Sequence, residues 1–394
     1  MRALRVERSV PRFAAARVAS EWRSGGGGGR LGPLQLVDDD PPDLPGADWV
    51  PIRPLLSGIC GSDLATLDGR SSRWFEQIVS FPFVPGHEVV GLDPDGVRIV
   101  VNPVLSCVPR GVDPLCPACA QGRPNRCQRL TGGHLPPGLQ VGYCAGTGGG
   151  WSGGLVAHAS SCVPVPDGLS DEAAVLTEPV ASAIHGALAA PSAPGERTAV
   201  VIGAGTQGLA TIAALSRFRP DVTEILAVAK HPEQRNLARS LGANAVVDPD
   251  EIRRAVRRRC GGWMLDDGQL TGGAELVIDC VGSPATLADA LAVTAPGGTV
   301  VLTGMPGRTE VDLTPLWQRE IQLMGTYTYG PEPTAGGRHS FELAFELIDR
   351  SGLHRLLSAT YPLDRAADAI AHAANAGRRG AVKVAFDLRH EKKR

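Results

Sequence analysis

The sequence predicts an α/β chain of two unlike parts, a β-rich segment followed by a doubly wound parallel sheet. Three observations predict it. Short apolar runs separated by turn residues fill the chain up to Ala181. From Ser182 onward, apolar strands alternate with helical segments, as in a parallel sheet wrapped by helices. The first of those strands runs into Gly203-Ala204-Gly205-Thr206-Gln207-Gly208, a G-x-G-x-x-G turn that opens a helix. The length of 394 residues fits two domains of about 100–200 residues each.

In the first part, Ala3-Leu4-Arg5-Val6-Glu7 alternates like a strand, and Phe83-Val84, Val89-Val90 and Arg98–Val101 suit short strands between turns. The run Gly25–Gly29 reads as a flexible surface loop. In the second part the expected strands are Ala199–Ile202, Ile225–Ala229, Ala245–Val247, Leu276–Cys280 and Thr299–Thr303. Helices are expected at Thr206–Phe218 and Pro232–Leu241. Beyond Tyr327 the pattern is mixed, with a helix at Ser340–Ser351, a strand at Val382–Asp387 and a solvated basic end at Arg389–Arg394.

Composition narrows the function. Lys plus Arg is 39 and Asp plus Glu 41, a net charge of −2 that argues against a broad nucleic-acid footprint. Hydrophobic residues at 43% and charged residues at 20% suit a globular chain with a substantial core. The uncharged stretch Thr198–Ser216 is broken by Gly203, Gly205, Gln207 and Gly208, so it reads as strand, turn and helix, and no membrane span is expected. The N-terminus lacks the apolar core of a secretory signal. Arg2, Arg5, Arg8, Arg12, Arg17 and Arg23 imitate a transit peptide, but the alternation from Ala3 favours a first strand, and a cytoplasmic location is the expectation.

The glycine motif has a specific physics. Gly203 allows the tight turn, Gly205 lets backbone approach a pyrophosphate, and Gly208 permits close strand–helix packing. The helix start at Thr206 and Gln207 presents free N–H groups to phosphate. The motif therefore predicts dinucleotide binding. An acid at the end of the next strand would hold a ribose 2′-hydroxyl, yet Ala229 stands there, with Lys230 beside it and Arg235 one turn into the next helix. That arrangement favours NADP over NAD. Asp279-Cys280-Val281-Gly282 and Thr303-Gly304 end later strands, where they line the cofactor or simply form turns.

Nine cysteines in a chain of this kind are expected reduced. Cys107, Cys116, Cys119 and Cys127 can close a tetrahedral thiolate shell, the structural kind of zinc site. The first gap, of eight residues, implies a looped-out Val108–Leu115. Of Cys60, Cys144, Cys162, Cys260 and Cys280, most suit small buried hydrophobes. A second set is Cys60 in Gly58-Ile59-Cys60-Gly61-Ser62-Asp63, His87 in Pro85-Gly86-His87-Glu88, and Glu178 in Leu176-Thr177-Glu178-Pro179. One thiolate, one imidazole and one carboxylate leave zinc an open position for water or substrate, with Glu88 as a fourth or alternating ligand.

This ordered set resembles the zinc-dependent medium-chain alcohol dehydrogenase superfamily, particularly its polyol, threonine and glucose dehydrogenase-like branches. Pro296-Gly297-Gly298 ahead of Val300 is similar to that family too. The resemblance implies a GroES-like catalytic domain at 1–181, with a structural-zinc lobe at 107–127. It implies an inserted Rossmann domain at 182–326, a return to the catalytic domain at 327–394, and an active zinc between the two domains. It makes Cys60, His87 and Glu178 the catalytic zinc ligands, with Glu88 a ligand or supporting group. Asp63 would orient His87, and Ser62 would hydrogen-bond the reacting oxygen. Where many relatives carry a proton-relaying histidine, this chain has Ala65.

The implied reaction is hydride transfer between a nicotinamide and an alcohol, polyol or matching carbonyl. The alternatives are reduction of a conjugated double bond or imine on the same scaffold, and a non-catalytic cofactor-binding protein. The partners implied are a small-molecule substrate and further copies of the chain, as a homodimer or homotetramer. Trp74, Phe75, Trp151 and Trp317 wall a substrate pocket or sit in the core, and His134 and His185 are further candidates near the site.

Overall fold

The strand Trp49–Gly58 buries almost continuously toward its C-terminal end, as a central strand covered on both faces does. It is the hub of the first of two compact units in the computed structural model, which describes residues 1–22, 24–192 and 194–391. That unit comprises Met1–Glu178 and His354–Arg394, and the second comprises Pro179–Leu353. Of the expected basic end, Lys392–Arg394 lie outside the described residues, as does Arg23.

In chain order the first unit contains β1 (Arg2–Val6), α1 (Val10–Trp22), β2 (Leu34–Asp38), β3 (Trp49–Gly58), α2 (Gly61–Leu67) and β4 (Val89–Leu92). Then come β5 (Arg98–Val101), α3 (Pro117–Ala120), β6 (Leu155–His158), β7 (Cys162–Pro164) and α4 (Asp171–Ala174). Helix α5 (Thr177–Ala189) starts at the unit boundary. The second unit continues with β8 (Arg197–Ile202), α6 (Thr206–Phe218), β9 (Val222–Val228), α7 (Pro232–Ser240), β10 (Ala245–Val247), α8 (Ile252–Cys260) and β11 (Ala274–Asp279). It ends with α9 (Pro284–Val293), β12 (Thr294–Leu302), α10 (Thr314–Gln318), β13 (Gln322–Gly325), β14 (Pro331–Glu332), β15 (Arg338–His339) and α11 (Ser340–Ser351). Strand β16 (Leu357–Tyr361), α12 (Ala366–Ala374) and β17 (Lys383–Asp387) belong to the first unit again.

The main sheet of the first unit has the order β16-β17-β3-β4-β5-β7, with β6 pairing the start of β3. Trp151, fully buried, donates from Nε1 to the Gly58 carbonyl at 3.1 Å and packs edge-on to Phe386. This contact pins the end of β3 at the point where the chain turns into α2. Contrary to the expected flexible loop, Gly25–Gly29 is packed. Gly26–Gly28 forms one tight turn, and the Gly27 amide donates to Asp68 Oδ1 at 2.9 Å. A Cβ on Gly27 would stand 2.2 Å from the Leu67 carbonyl oxygen, so glycine serves close approach here, not mobility. Helix α1, which the reading above did not anticipate, lies against the same region through Phe13 on Phe81 and Arg70 on the Ser20 carbonyl.

The second unit is built on a six-stranded parallel sheet, β10-β9-β8-β11-β12-β13. Its strands are near-continuous apolar runs because helices cover both faces, with Val200, Leu226, Val277 and Val300 in one core cluster. The strand order reverses between β8 and β11, which makes the carboxyl ends of those strands the place where such sheets bind ligands. This compact unit runs to Leu353, past the expected boundary at 326. Helix α11 packs on α6, and Arg217 Nη2 reaches Glu346 Oε1 at 2.6 Å. Among the described residues no helix is long and apolar enough to cross a membrane.

Candidate active site and metal centres

Cys60 is the residue before α2, and Asp63 closes that helix start by accepting the Cys60 amide on Oδ2 at 2.9 Å. A carboxylate three residues into a helix satisfies an otherwise orphaned amide, so the Cys-Gly-Ser-Asp order aims the thiol rigidly. The other oxygen of Asp63 accepts from the Tyr143 hydroxyl at 3.2 Å and faces His87 Nδ1 at 3.6 Å. The expected Asp63–His87 pairing is thus a close charge approach, and His87 Nδ1 has no hydrogen-bond partner in the structure.

The donor atoms of Cys60, His87 and Glu88 lie within 4.8 Å of one another. Burial pushes the Cys60 thiol up to about 11, with Glu88 and Asp63 adding to the rise and Lys383 and Ser62 opposing it. Burial disfavours a charged His87, but Asp63, Glu178 and Glu88 together hold its pKa above the ordinary imidazole value. Glu178, at the start of α5, stands outside that tight set. Burial raises it to about 8, with His87 opposing and Glu88 and Cys60 adding. Glu88, fully buried, is held by a residue the sequence reading missed. Lys383 Nζ lies against the Glu88 carboxylate and donates to the Ile59 carbonyl at 3.1 Å. The only available signal was a lysine inside the apolar run Ala381–Phe386. Tyr143 was missed as well. Burial holds its hydroxyl well above the usual range, and the hydroxyls of Ser62 and Thr66 pull it back.

The sulfurs of Cys107, Cys116, Cys119 and Cys127 also lie within 4.8 Å of one another, and Cys107 and Cys127 are 3.7 Å apart. A tetrahedron of Zn–S bonds of about 2.3 Å has edges of about 3.8 Å, so the cage fits zinc. Main-chain amides point at the sulfurs, Cys116 N to Cys107 Sγ at 3.4 Å and Arg129 N to Cys127 Sγ at 3.4 Å. Against burial, the amides of Gln128 and Cys119 and the neighbouring thiols bring Cys116 down to about 6. The eight-residue gap folds into a turn, with the Val112 amide on the Cys107 carbonyl at 2.9 Å.

In the second unit Gly203 has φ +96°, and a Cβ on Gly208 would stand 1.9 Å from the Gly203 carbonyl oxygen. Only glycine allows α6 to start so close to β8. Gly205 caps α6, Thr206 begins it, and Gln207 Nε2 reaches Ser182 Oγ at 3.3 Å. Asp279 Oδ1 accepts the amides of Val281 and Gly282, and its carbonyl accepts those of Thr303 and Gly304. Cys280 lies 3.8 Å from Thr211 Oγ1. Lys230 is exposed at the end of β9. Arg235, expected at a 2′-phosphate, is engaged elsewhere. It donates to the carbonyls of Ala229 at 3.0 Å and Val246 at 3.2 Å and pairs with Asp248 at 2.9 Å, which ties β9 to β10.

The aromatic candidates divide. Trp151 is core, while Trp74 and Trp317 are 81% and 70% exposed and Phe75 is partly exposed. His134 lies edge-on to Trp49, and His185 Nδ1 bonds Glu332 at 2.8 Å within the second unit.

A family model described as alcohol dehydrogenase GroES-like domain matches residues 46–167, and one described as zinc-binding dehydrogenase matches residues 208–350. Sorbitol dehydrogenase of Arabidopsis thaliana is 28% identical over 359 residues, covering 86% of this chain and 88% of that protein. L-Idonate 5-dehydrogenase of Vitis vinifera is 27% identical over 365 residues, with the same coverage of 86% and 88%. An NADP-bound structure from Sinorhizobium meliloti 1021, described as a zinc-binding dehydrogenase, superposes with a TM-score of 0.67 at 25% identity, covering 90% of this chain and 95% of that one.

Proposed function

Since the chain belongs to the zinc-dependent medium-chain alcohol dehydrogenase superfamily, in its polyol dehydrogenase branch, we propose that it oxidises a polyol, or reduces the matching carbonyl, with a nicotinamide cofactor. The observation that carries the reading is the convergence of Cys60, His87 and a buried carboxylate in one pocket of donors. Cys60, His87 and Glu178 would hold the catalytic zinc, because Lys383 retains Glu88. The four-cysteine lobe would hold a structural zinc.

When bound, the zinc polarises the substrate oxygen and the nicotinamide exchanges the hydride. The chain's own groups position and deprotonate. Ser62 receives the substrate's hydroxyl proton. Tyr143, beside Ser62, hands a proton on to Asp63 Oδ1, which its hydroxyl meets at 3.2 Å. This hydroxyl route stands in for the histidine that Ala65 replaces. Tyr143→Phe is expected to lower kcat about 100-fold or more at neutral pH with KM little changed, the lower end of the size of a lost proton-transfer group. The loss should shrink in alkaline buffer, where solvent takes the proton. A kcat–pH profile flat against the wild type at every pH would remove Tyr143 from the route.

The absence of an acid at Ala229 and the exposed Lys230 support NADP as the cofactor. Lys230→Ala is expected to weaken NADPH binding about 10-fold, one charge-assisted contact, while leaving NADH binding unchanged. Fluorescence titration with both cofactors checks this, and equal weakening of both would count against it. Strand β13, an edge of the six-stranded sheet among the described residues, supports assembly of further copies through that sheet. A thiol cluster suited to zinc supports a reducing, cytoplasmic location. The activity itself is tested by reduced-nicotinamide absorbance of the zinc-loaded protein with sorbitol, L-idonate and xylitol. No turnover with any polyol under either cofactor would remove the reading.

A further inference from the structure

Arg110 sits inside the long gap between the first two lobe cysteines and is 0% exposed. Its guanidinium has five N–H donors, and every acceptor it finds is a main-chain carbonyl. Nε donates to Leu105 at 3.1 Å. Nη1 donates to Gly132 at 3.1 Å, Leu135 at 3.2 Å and Pro136 at 3.2 Å. Nη2 donates to Pro136 at 3.1 Å and to Gly138. The Arg110 carbonyl in turn accepts the His134 amide at 3.1 Å. These bonds run from Leu105 at one end to Gly138 at the other, and all four lobe cysteines lie between them in the chain.

A buried guanidinium satisfied only by neutral carbonyls is costly, because hydrogen bonds replace its hydration but no opposite charge compensates it. The thiols of Cys144, Cys127 and Cys107 lie near enough to favour the charged guanidinium, though burial outweighs them. Two of these belong to the lobe. Four thiolates around one divalent ion would carry a net charge of about −2, which would add to that favourable field.

We propose that Arg110 is the built-in latch of the four-cysteine lobe. It holds the Leu105–Gly138 loop in its metal-ready shape and stabilises the zinc-loaded cage over the empty one. This inference rests on the reading that the lobe holds zinc. It also gives the eight-residue gap a role, because the residues between Cys107 and Cys116 carry an arginine inward.

The test uses the full-length zinc-loaded protein and its Arg110→Met and Arg110→Lys variants. Zinc release is followed with a chromophoric chelator. Mass-spectrometric mapping of alkylated cysteines shows which site has emptied. Hydrogen exchange over residues 105–138 reports the loop. The expected result is that R110M releases lobe zinc about 10- to 100-fold faster, the size seen when a residue supporting metal ligands is lost. R110K should fall between R110M and the wild type, because it keeps the charge but not the five-donor fork. Protection of Cys60 should stay unchanged in both variants. Wild-type release in both variants overturns the proposal. If R110M does not fold, R110K decides, and wild-type release and exchange in R110K overturn it. If the lobe cysteines of zinc-loaded wild type alkylate as fast as those of metal-free protein, the lobe holds no zinc and the underlying reading fails instead.

Discussion

Cys60→Ser is expected to abolish turnover, by about a thousand-fold or more, and to leave the chain with one zinc instead of two. Cys60, His87 and Glu88 converge within 4.8 Å, whereas the four-cysteine lobe is a separate cluster with its own closed donor set. Removing the thiol leaves imidazole and carboxylate, too few ligands for tight zinc binding. About 4 kcal/mol of lost transition-state stabilisation corresponds to that thousand-fold. The fold should persist, since the Cys60 amide remains bonded to Asp63 and the strand end stays pinned by Trp151. Elemental analysis beside steady-state kinetics checks both halves. A variant with full activity or two zinc ions would remove Cys60 from the metal site. Glu178→Gln and Glu88→Gln in the same assay tell which carboxylate completes the set. Loss of the metal in the first but not the second supports Glu178.

Lys383→Met is expected to lower stability by about 3–5 kcal/mol, the cost of leaving a buried carboxylate without its partner. Glu88 is 0% exposed and Lys383 3%, so solvent screens neither charge. Because the cost lies in the orphaned charge more than in the lost attraction, Glu88→Gln added to Lys383→Met should recover most of it. Urea unfolding of the two single variants and the double variant measures the coupling. A Lys383→Met chain within about 1 kcal/mol of wild type would show that Glu88 finds another partner, since a shift that small is within the range of surface substitutions and minor repacking. The same variant tests the ligand assignment, because a released Glu88 competes with Glu178 for zinc.

Local signals read well from the residues. The helices expected at Thr206–Phe218 and Ser340–Ser351 have those ends in the structure. The strands expected from Ala199 and Ala245 lie within Arg197–Ile202 and Ala245–Val247. The four lobe cysteines come together despite the unusual first gap. Each of these rests on neighbours in sequence, such as a glycine turn into a helix, an apolar period, or thiols a few residues apart. Helix α1 escaped notice because its apolar residues are mostly small, and Val10, Val18 and Trp22 face outward, so no strong period marks it. The glycine run before Arg30 misled for a related reason. Composition alone reads glycine as freedom, and only the nearness of Leu67 shows it as a space-saving contact.

The sequence by itself determined the parallel sheet, the glycine turn into α6, the four cysteines that cluster and the family the chain belongs to. The tertiary structure decided the partners. Lys383 is 295 positions from the Glu88 it holds, Tyr143 is 80 from Asp63, and Arg235 turned out to bind strand carbonyls. The physical reason is that buried charges and polar groups must find their complements wherever the chain packs. Local order sets which groups exist, and long-range packing sets which of them meet.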